Sequence, residues 1–257
     1  MSSRTEEIVF ANSRGERLSG VLHLPAGGGD CGRVVILCHG MLSSKNGTKQ
    51  VALARAFQES GLACLRFDFS GCGDSDGRID QTTISRRLED LAAVAGGIAA
   101  RGFGSVAAVG SSLGAVVCIL AAGGGLLGRP SSLVLMASVS RPSKILEKFP
   151  ESDIRRWREA GAFEMDGVRI AWDFVLDAQR HDIPAAAKKI TCPTLLIHGS
   201  RDELVPVQSS REIFASLDCE KELVILEGAD HSFTADEHVK RIVRLALEWS
   251  LGHGKKL

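Results

Sequence analysis

The sequence predicts an α/β fold, a mostly parallel, twisted sheet of eight strands with helices on both faces. Three observations lead there. Short apolar runs alternate with stretches of helical character, the rhythm of strands joined by covering helices. A Gly-x-Ser-x-Gly pentapeptide, Gly110-Ser111-Ser112-Leu113-Gly114, sits where an apolar run gives way to a small-residue apolar stretch. Polar residues able to move protons then collect just past two later apolar runs. In open α/β sheets functional groups gather at the carboxyl ends of strands.

The elements follow in chain order. Residues 7–11 and 18–24 flank Asn12-Ser13-Arg14-Gly15 and predict an antiparallel opening hairpin. Residues 26–32 are glycine-rich and read as a flexible connector; no Gly-Lys-Ser/Thr follows, so phosphate binding is set aside. Residues 33–38 predict a buried strand, 47–60 an amphipathic helix, 62–69 a second buried strand and 83–100 a long helix. The pentapeptide joins a strand over 105–109 to a helix over 115–122, which the glycines of 123–128 stop. Strands over 132–138, 194–199 and 221–226 complete the set, and a helix over 236–251 closes the chain.

The interval 139–187 breaks this rhythm and is too long for a plain loop, so it predicts structure of its own. A helix is expected over 151–160, a hairpin of 162–165 and 168–171 turning at Asp166-Gly167, and a helix over 172–180. The whole chain, 1–257, reads as a single domain in which this interval forms a cap over the carboxyl edge of the sheet.

Bulk composition excludes more than it proposes. Lys and Arg number 31 against 31 Asp and Glu, and this balance argues against a nucleic-acid partner. No segment is long and apolar enough to span a membrane, and residues 1–7 are too polar for a signal peptide. Seven cysteines with no Cys-x-x-Cys pair read as reduced thiols, so a cytoplasmic location is expected and a zinc site is not. Cys72, in the glycine-rich loop 70–77, reads as a small residue in a tight turn. A small-molecule substrate is the expected partner, for a monomer or homodimer.

The chemistry starts at Ser112. Its flanking glycines make room for a turn too tight for side chains, leaving the hydroxyl exposed. A serine hydroxyl is a poor nucleophile at neutral pH and needs a base, itself oriented by an acid. Asp202 follows the strand 194–199, and His231 lies in the loop after 221–226. His198, beside Gly199, is the weaker candidate for base, because Asp202 follows it in the same loop. An oxyanion needs two backbone N–H donors. Leu113, next after Ser112, supplies one, and Met41, in the loop opening His39-Gly40-Met41, supplies the other. His39 is expected to shape that loop by hydrogen bonding, and Asp68 to order the loop 70–77. Phe163, Met165, Trp172 and Phe174 are candidate substrate-binding residues of the cap, or else anchors of the cap on the core. Arg155, Arg156 and Arg158 read as a solvated helix face.

On these segments the chain resembles the α/β-hydrolase superfamily over essentially its whole length. The matching stretches are Cys-His-Gly-Met at 38–41, Arg-Phe-Asp-Phe-Ser-Gly-Cys-Gly-Asp-Ser-Asp-Gly at 66–77, the pentapeptide at 110–114, Leu-Leu-Ile-His-Gly-Ser-Arg-Asp-Glu-Leu-Val-Pro at 195–206 and Leu-Glu-Gly-Ala-Asp-His-Ser-Phe at 226–233. Within the superfamily it is most similar to small feruloyl or cinnamoyl esterase-like members and to serine aminopeptidase-like and monoacylglycerol lipase-like hydrolases. The resemblance implies Ser112 as nucleophile, Asp202 as acid and His231 as base, with no metal or organic cofactor. It implies hydrolysis of carboxylic esters with small to medium acyl groups. Aminopeptidase, thioesterase and carbon–carbon bond hydrolase chemistry can use the same triad; cofactor-free haloperoxidase activity and a ligand-binding receptor are further alternatives. Ser111 stands where lipases often carry histidine, and Ala115 where many relatives have glycine, which blurs the subfamily. The chain has no tyrosine, so no tyrosine hydroxyl can recognise a phenolic acid, and this weighs against a feruloyl substrate.

Overall fold

Alternate residues of the central strands enter two different cores, and this splits the molecule into three layers. The computed structural model describes residues 3–28, 30–165 and 167–253. The main sheet has eight strands: β1 (Arg4–Ala11), β2 (Arg17–Leu24), β3 (Asp30–Cys38), β4 (Leu62–Phe67), β5 (Ser105–Ser111), β6 (Leu133–Met136), β9 (Thr194–Gly199) and β10 (Lys221–Leu226). Val34, Ile36 and Cys38 of β3 face one core, and Val35 and Leu37 face the other. The first core is closed by α2 (Ile84–Ala100) and α3 (Leu113–Gly123), and the second by α1 (Thr48–Glu59) and α8 (Asp236–Gly252). Strands buried on both faces carry continuous Val, Ile and Leu, which is why they read as unbroken apolar runs.

The sheet order is β1-β2-β4-β3-β5-β6-β9-β10. Only β2 runs against its neighbours; the remaining ladders are parallel. The chain passes from β3 outward to β4, then returns to lay β5 on the other side of β3. That reversal is a topological switch point, where adjacent strands send their following loops apart and leave a crevice. The loop after β3 and the turn after β5 flank it, so Met41 and Ser112 are brought to one place by the winding of the sheet.

Most predicted elements appear within a residue or two of their expected bounds. The connector expected over 26–32 is shorter. A single 3-10 turn spans Ala26–Gly28, and Asp30 already pairs with Leu62, before a register shift to Val34 opposite Ala63. Pairing with the start of β4 overrides the glycine-rich composition there. The strand expected over 62–69 ends at Phe67; the Asp68 N–H still bonds the Ser19 carbonyl at 2.9 Å in the register of the β2–β4 ladder, and beyond it the chain turns into the loop that the Asp68 carboxylate orders. Two short helices were not anticipated, α6 (Ile183–Ala187) and α7 (Gln208–Ser216).

The interval 139–187 contains α4 (Glu151–Ala160), the antiparallel pair β7 (Ala162–Met165) and β8 (Val168–Ala171), α5 (Trp172–Ala178) and α6. Asp166, half of the expected turn, lies outside the described residues. Trp157 is fully buried, donates its indole N–H to the Ile170 carbonyl at 3.0 Å, and meets the rings of Phe149, Phe163 and Trp172 at 5.6–5.7 Å. The flanking arginines are exposed, Arg156 lying over Phe163 and Arg158 over Trp172. Asp177 fixes the interval to α2 by accepting the Ser85 N–H at 2.9 Å and hydroxyl at 2.6 Å, which satisfies a donor at that helix's open end.

Candidate active site

Ser112 lies between β5 and α3, capping the helix, with φ 53° and ψ −119°, a conformation that L-residues avoid. Close packing holds it there. A Cβ on Gly110 would lie 2.6 Å from Ala115 Cα, and one on Gly114 would lie 2.2 Å from the Cys38 carbonyl oxygen. Only glycine fits at either position, as the pentapeptide implied. The Ser112 N–H is tied to the Met136 carbonyl of β6 at 2.8 Å.

His231 and Asp202 reach Ser112 from the loops after β10 and β9. The Ser112 Oγ lies 3.1 Å from His231 Nε2, and His231 Nδ1 lies 2.8 Å from Asp202 Oδ2. A carboxylate only accepts, so Nδ1 carries the proton and Nε2 turns its lone pair to the hydroxyl. The other Asp202 oxygen accepts the Leu204 N–H at 3.0 Å and the Val205 N–H at 2.7 Å. Burial alone would raise the Asp202 pKa. Hydrogen bonds from His198, His231 and the Val205 N–H outweigh that and hold the carboxyl well below the usual carboxylate range.

His198 is therefore a partner of Asp202. Fully buried, it places Nε2 at 2.9 Å from the Val205 carbonyl and 3.2 Å from Asp202 Oδ2, with Nδ1 2.7 Å from the Ser210 hydroxyl. The carbonyl requires the proton on Nε2, so Nδ1 accepts from Ser210. The signal was available in the sequence: a histidine at a strand end, four residues before Asp202.

The loop after β3 lies against the turn at Ser112. A Cβ on Gly40 would be in ordinary contact, 3.6 Å from Ser112 Cβ. Neither the Met41 nor the Leu113 N–H makes a hydrogen bond among the described residues, which leaves both donors available. His39 is buried and bonds twice, its Nδ1 donating to the Gly40 carbonyl at 2.7 Å and its Nε2 accepting the Phe69 N–H at 3.2 Å. Burial and the nearby Arg87 cation push its pKa down to about 3, so it stays neutral and shapes the loop. Asp68 orders the loop 70–77 together with Lys45. It accepts the Lys45 N–H and ammonium at 2.6 Å each and the Asp74 N–H at 2.9 Å. Cys72, within this loop, is buried, and burial pushes its thiol pKa up.

Lys49, at the start of α1, was not singled out in the sequence. Its ammonium lies 3.5 Å from the Ser111 hydroxyl and 5.1 Å from the centre of the Phe233 ring. Burial pulls its pKa down to about 8, although Asp230 and Asp202 favour the charged form.

The substrate-binding candidates of the interval 139–187 are placed differently from the three polar groups. Phe174 is buried in the large core, while Phe163 lies tilted against Trp157 and Trp172 meets it edge to face, and Met165 is half-buried against the same core. Their observed contacts are those of anchors. No helix among the described residues is long and apolar enough to cross a membrane, and no group of three or more His, Cys, Asp or Glu side chains is arranged to hold a metal ion.

Comparison with known proteins gives a consistent family signal. The family model for the alpha/beta hydrolase family matches residues 35–245. The human mitochondrial palmitoyl-protein thioesterase ABHD10 is 27% identical over 221 residues, covering 81% of this chain and 70% of that protein. Its mouse counterpart is 30% identical over 190 residues, covering 70% of this chain and 62% of that one. Among solved structures, Est1E from Butyrivibrio proteoclasticus with ferulic acid bound has a TM-score of 0.86 at 23% identity, over 97% of this chain and all of that one. Mouse ABHD10 has a TM-score of 0.79 at 23% identity, over 94% of this chain and 96% of that one.

Proposed function

This chain belongs to the alpha/beta hydrolase family, and from that premise we propose that it is a serine hydrolase of carboxylic esters with small to medium acyl groups. The supporting observation is the continuous line of hydrogen-bonding groups from Ser112 Oγ through His231 to Asp202, at 3.1 and 2.8 Å. Both distances are within the reach that proton transfer requires.

In the proposed mechanism His231 Nε2 takes the hydroxyl proton while Ser112 Oγ bonds to the acyl carbon. The displaced π pair becomes an oxyanion, held by the Met41 and Leu113 N–H groups. Asp202 keeps the imidazole in the required tautomer and stabilises the imidazolium. His231 then protonates the departing alcohol oxygen as the C–O bond breaks. A water molecule, deprotonated by the same imidazole, releases the acid from Ser112. Met41 and Leu113 act through the main chain, so the oxyanion contacts do not depend on the chemistry of their side chains. Phe163, Met165 and Trp172 are proposed to reach substrate only at the faces they leave uncovered in the cap.

A thioester is the second reading, favoured by the thioesterase relatives that cover most of this chain. The same steps serve it, with a thiol leaving in place of an alcohol. The test is hydrolysis of a short p-nitrophenyl ester beside an acyl-thioester of equal chain length, with a fluorophosphonate probe on the same preparation. Turnover of the ester and labelling that both vanish in Ser112→Ala are expected. A folded protein that neither turns over either substrate nor labels refutes the proposal, and preference for the thioester by kcat/KM selects the second reading.

A further inference from the structure

Arg87 is a fully buried cation, and no carboxylate hydrogen-bonds it among the described residues. A charge so placed costs free energy unless its donors are all satisfied. A guanidinium has five N–H donors, and each is used here. Nε donates to the Thr82 hydroxyl at 3.1 Å, and Nη1 to the Gly40 carbonyl at 3.1 Å and, more weakly, to the His39 carbonyl at 3.5 Å. Nη2 donates to the Met41 carbonyl at 2.9 Å and to Cys72 Sγ at 3.5 Å. The guanidinium also lies over the Phe69 ring, 4.7 Å from its centre. Three successive carbonyls of one loop thus converge on one side chain of α2.

The consequence follows from peptide geometry. No peptide in the described chain is cis, and in a trans peptide the C=O and the next residue's N–H point in opposite directions within one plane. The Gly40 carbonyl points at Arg87 and also takes the His39 Nδ1–H. The Met41 N–H, on the far side of that same peptide, must therefore point away from Arg87. It has no partner, and Gly40 lies against Ser112.

We propose that Arg87 is a positioning residue of the oxyanion hole, clamping the Gly40–Met41 peptide so that the Met41 N–H faces the reacting carbonyl. This rests on the serine-hydrolase reading above. Arg87 touches no reacting atom. A cation on the carbonyl also polarises the peptide and strengthens its N–H as a donor. Lysine cannot replace it, because a single ammonium lacks the planar fork that spans adjacent carbonyls.

The test uses Arg87→Lys with a short p-nitrophenyl ester and an aryl trifluoromethyl ketone. The ketone bonds to Ser112 Oγ and places an oxyanion in the hole, its hydroxyl proton passing to His231, so its Ki reports the hole. Removal of a whole donor costs about 100- to 1000-fold in kcat; a misaimed one is expected to cost ~10- to 100-fold. KM should stay within about threefold while Ki for the ketone rises in step with the fall in kcat. A folded variant with kcat within about twofold of the wild type, or with kcat reduced and Ki unmoved, overturns the proposal. Should Arg87→Lys fail to fold, Thr82→Val frees the Nε restraint and is expected to lower kcat roughly three- to tenfold, again with a matching Ki; no change overturns it. A wild-type protein that neither turns over ester nor labels refutes the underlying hydrolase reading instead.

Discussion

Gly199→Ala tests whether the spacing of two loops sets the proton relay. Gly199 ends β9 opposite Leu226 of β10. A Cβ there would lie 2.2 Å from the Ala229 carbonyl oxygen and 2.9 Å from that of Asp230. Ordinary contact begins at 3.4 Å, so the β9 and β10 loops must part by about 1 Å. They cannot part freely. Ser200 and Arg201 donate their N–H groups to the Leu226 and Ala229 carbonyls, and the Gly228 N–H returns to the Ser200 hydroxyl, each at 2.9 Å. Asp202 is three residues beyond Gly199, and His231 is two beyond Ala229. An opening of ~1 Å shared between them takes the 2.8 Å His231–Asp202 bond past hydrogen-bonding distance. The expected loss is about 100-fold in kcat and ~1–3 kcal/mol in stability. Steady-state kinetics on a p-nitrophenyl ester and a denaturant melt read both. Gly96→Ala, in α2 with nothing within 4 Å of its Cβ position, is the matched control and should leave kcat unchanged. A folded Gly199→Ala with kcat within about twofold of the wild type refutes the reasoning.

Three further outcomes are expected. Asp202→Asn should keep the fold but lower kcat by ~10⁴, because an amide can hold His231 in the wrong tautomer. The depressed Asp202 pKa stabilises the fold above the unfolded value of about 3.9, and this is lost as pH falls through the lower folded value, so the gap in Tm between wild type and variant should close in acid. Lys49 is the opposite case, a base held below its ordinary 10.5 at about 8, so the unfolded chain binds the extra proton between those values and wild-type stability should rise with pH across that window. Lys49→Met should be more stable than the wild type at pH 7, by on the order of 2 kcal/mol in urea titrations, and should flatten that rise. Ser112→Gly should stabilise by about 1 kcal/mol, the strain relieved less the added backbone entropy, whereas Ser112→Ala should not; equal melting of the two variants would show that the turn is unstrained.

The sheet and the three polar groups were legible in the sequence because each leaves a local trace. Buried strands announce themselves as apolar runs, the turn at Ser112 by paired glycines, and Asp202 and His231 by falling just past strand ends. What stayed hidden depends on contacts between distant segments. Arg87 reads as one more polar residue on a helix with Arg86 beside it, and only the fold turns it inward beneath the loop of His39, Gly40 and Met41. Lys49 likewise reads as a solvated helix residue until Phe233 arrives from 184 residues further on, the difference between 233 and 49. The missed helix α6 had its signals in place, Asp182 capping the Ala185 N–H at 3.0 Å and Pro184 in the first turn, but at five residues it offers too little periodicity to register. The aromatics of the interval 139–187 were legible as apolar but not in destination, since sequence spacing cannot tell a pocket wall from a packing contact.

Backbone strain in this chain gathers around the candidate site. Among the described residues three non-glycines have positive φ: Ser112 at 53°, Ala137 at 47° and Phe233 at 53°. Such positions cost about 1–3 kcal/mol each and persist only where the surroundings over-determine them. Ser112 follows β5, Ala137 follows β6, and Phe233 comes two residues after His231, so all three sit at the carboxyl edge around one site. Each is pinned through its N–H, to the Met136, Ile197 and Asp230 carbonyls at 2.8, 2.9 and 3.2 Å. The first two bonds link β5 to β6 and β6 to β9, and so run strand to strand from the turn at Ser112 to the strand that precedes Asp202. Ala137 has no group to donate or accept through its side chain, and Phe233 is wholly buried with Lys49 over its ring. Neither can take part in proton transfer. Their strain is intelligible as the cost of geometry: Ala137 relays the register of β5 to β9, and the turn at Phe233 folds the chain back so that His231 faces Ser112 instead of solvent.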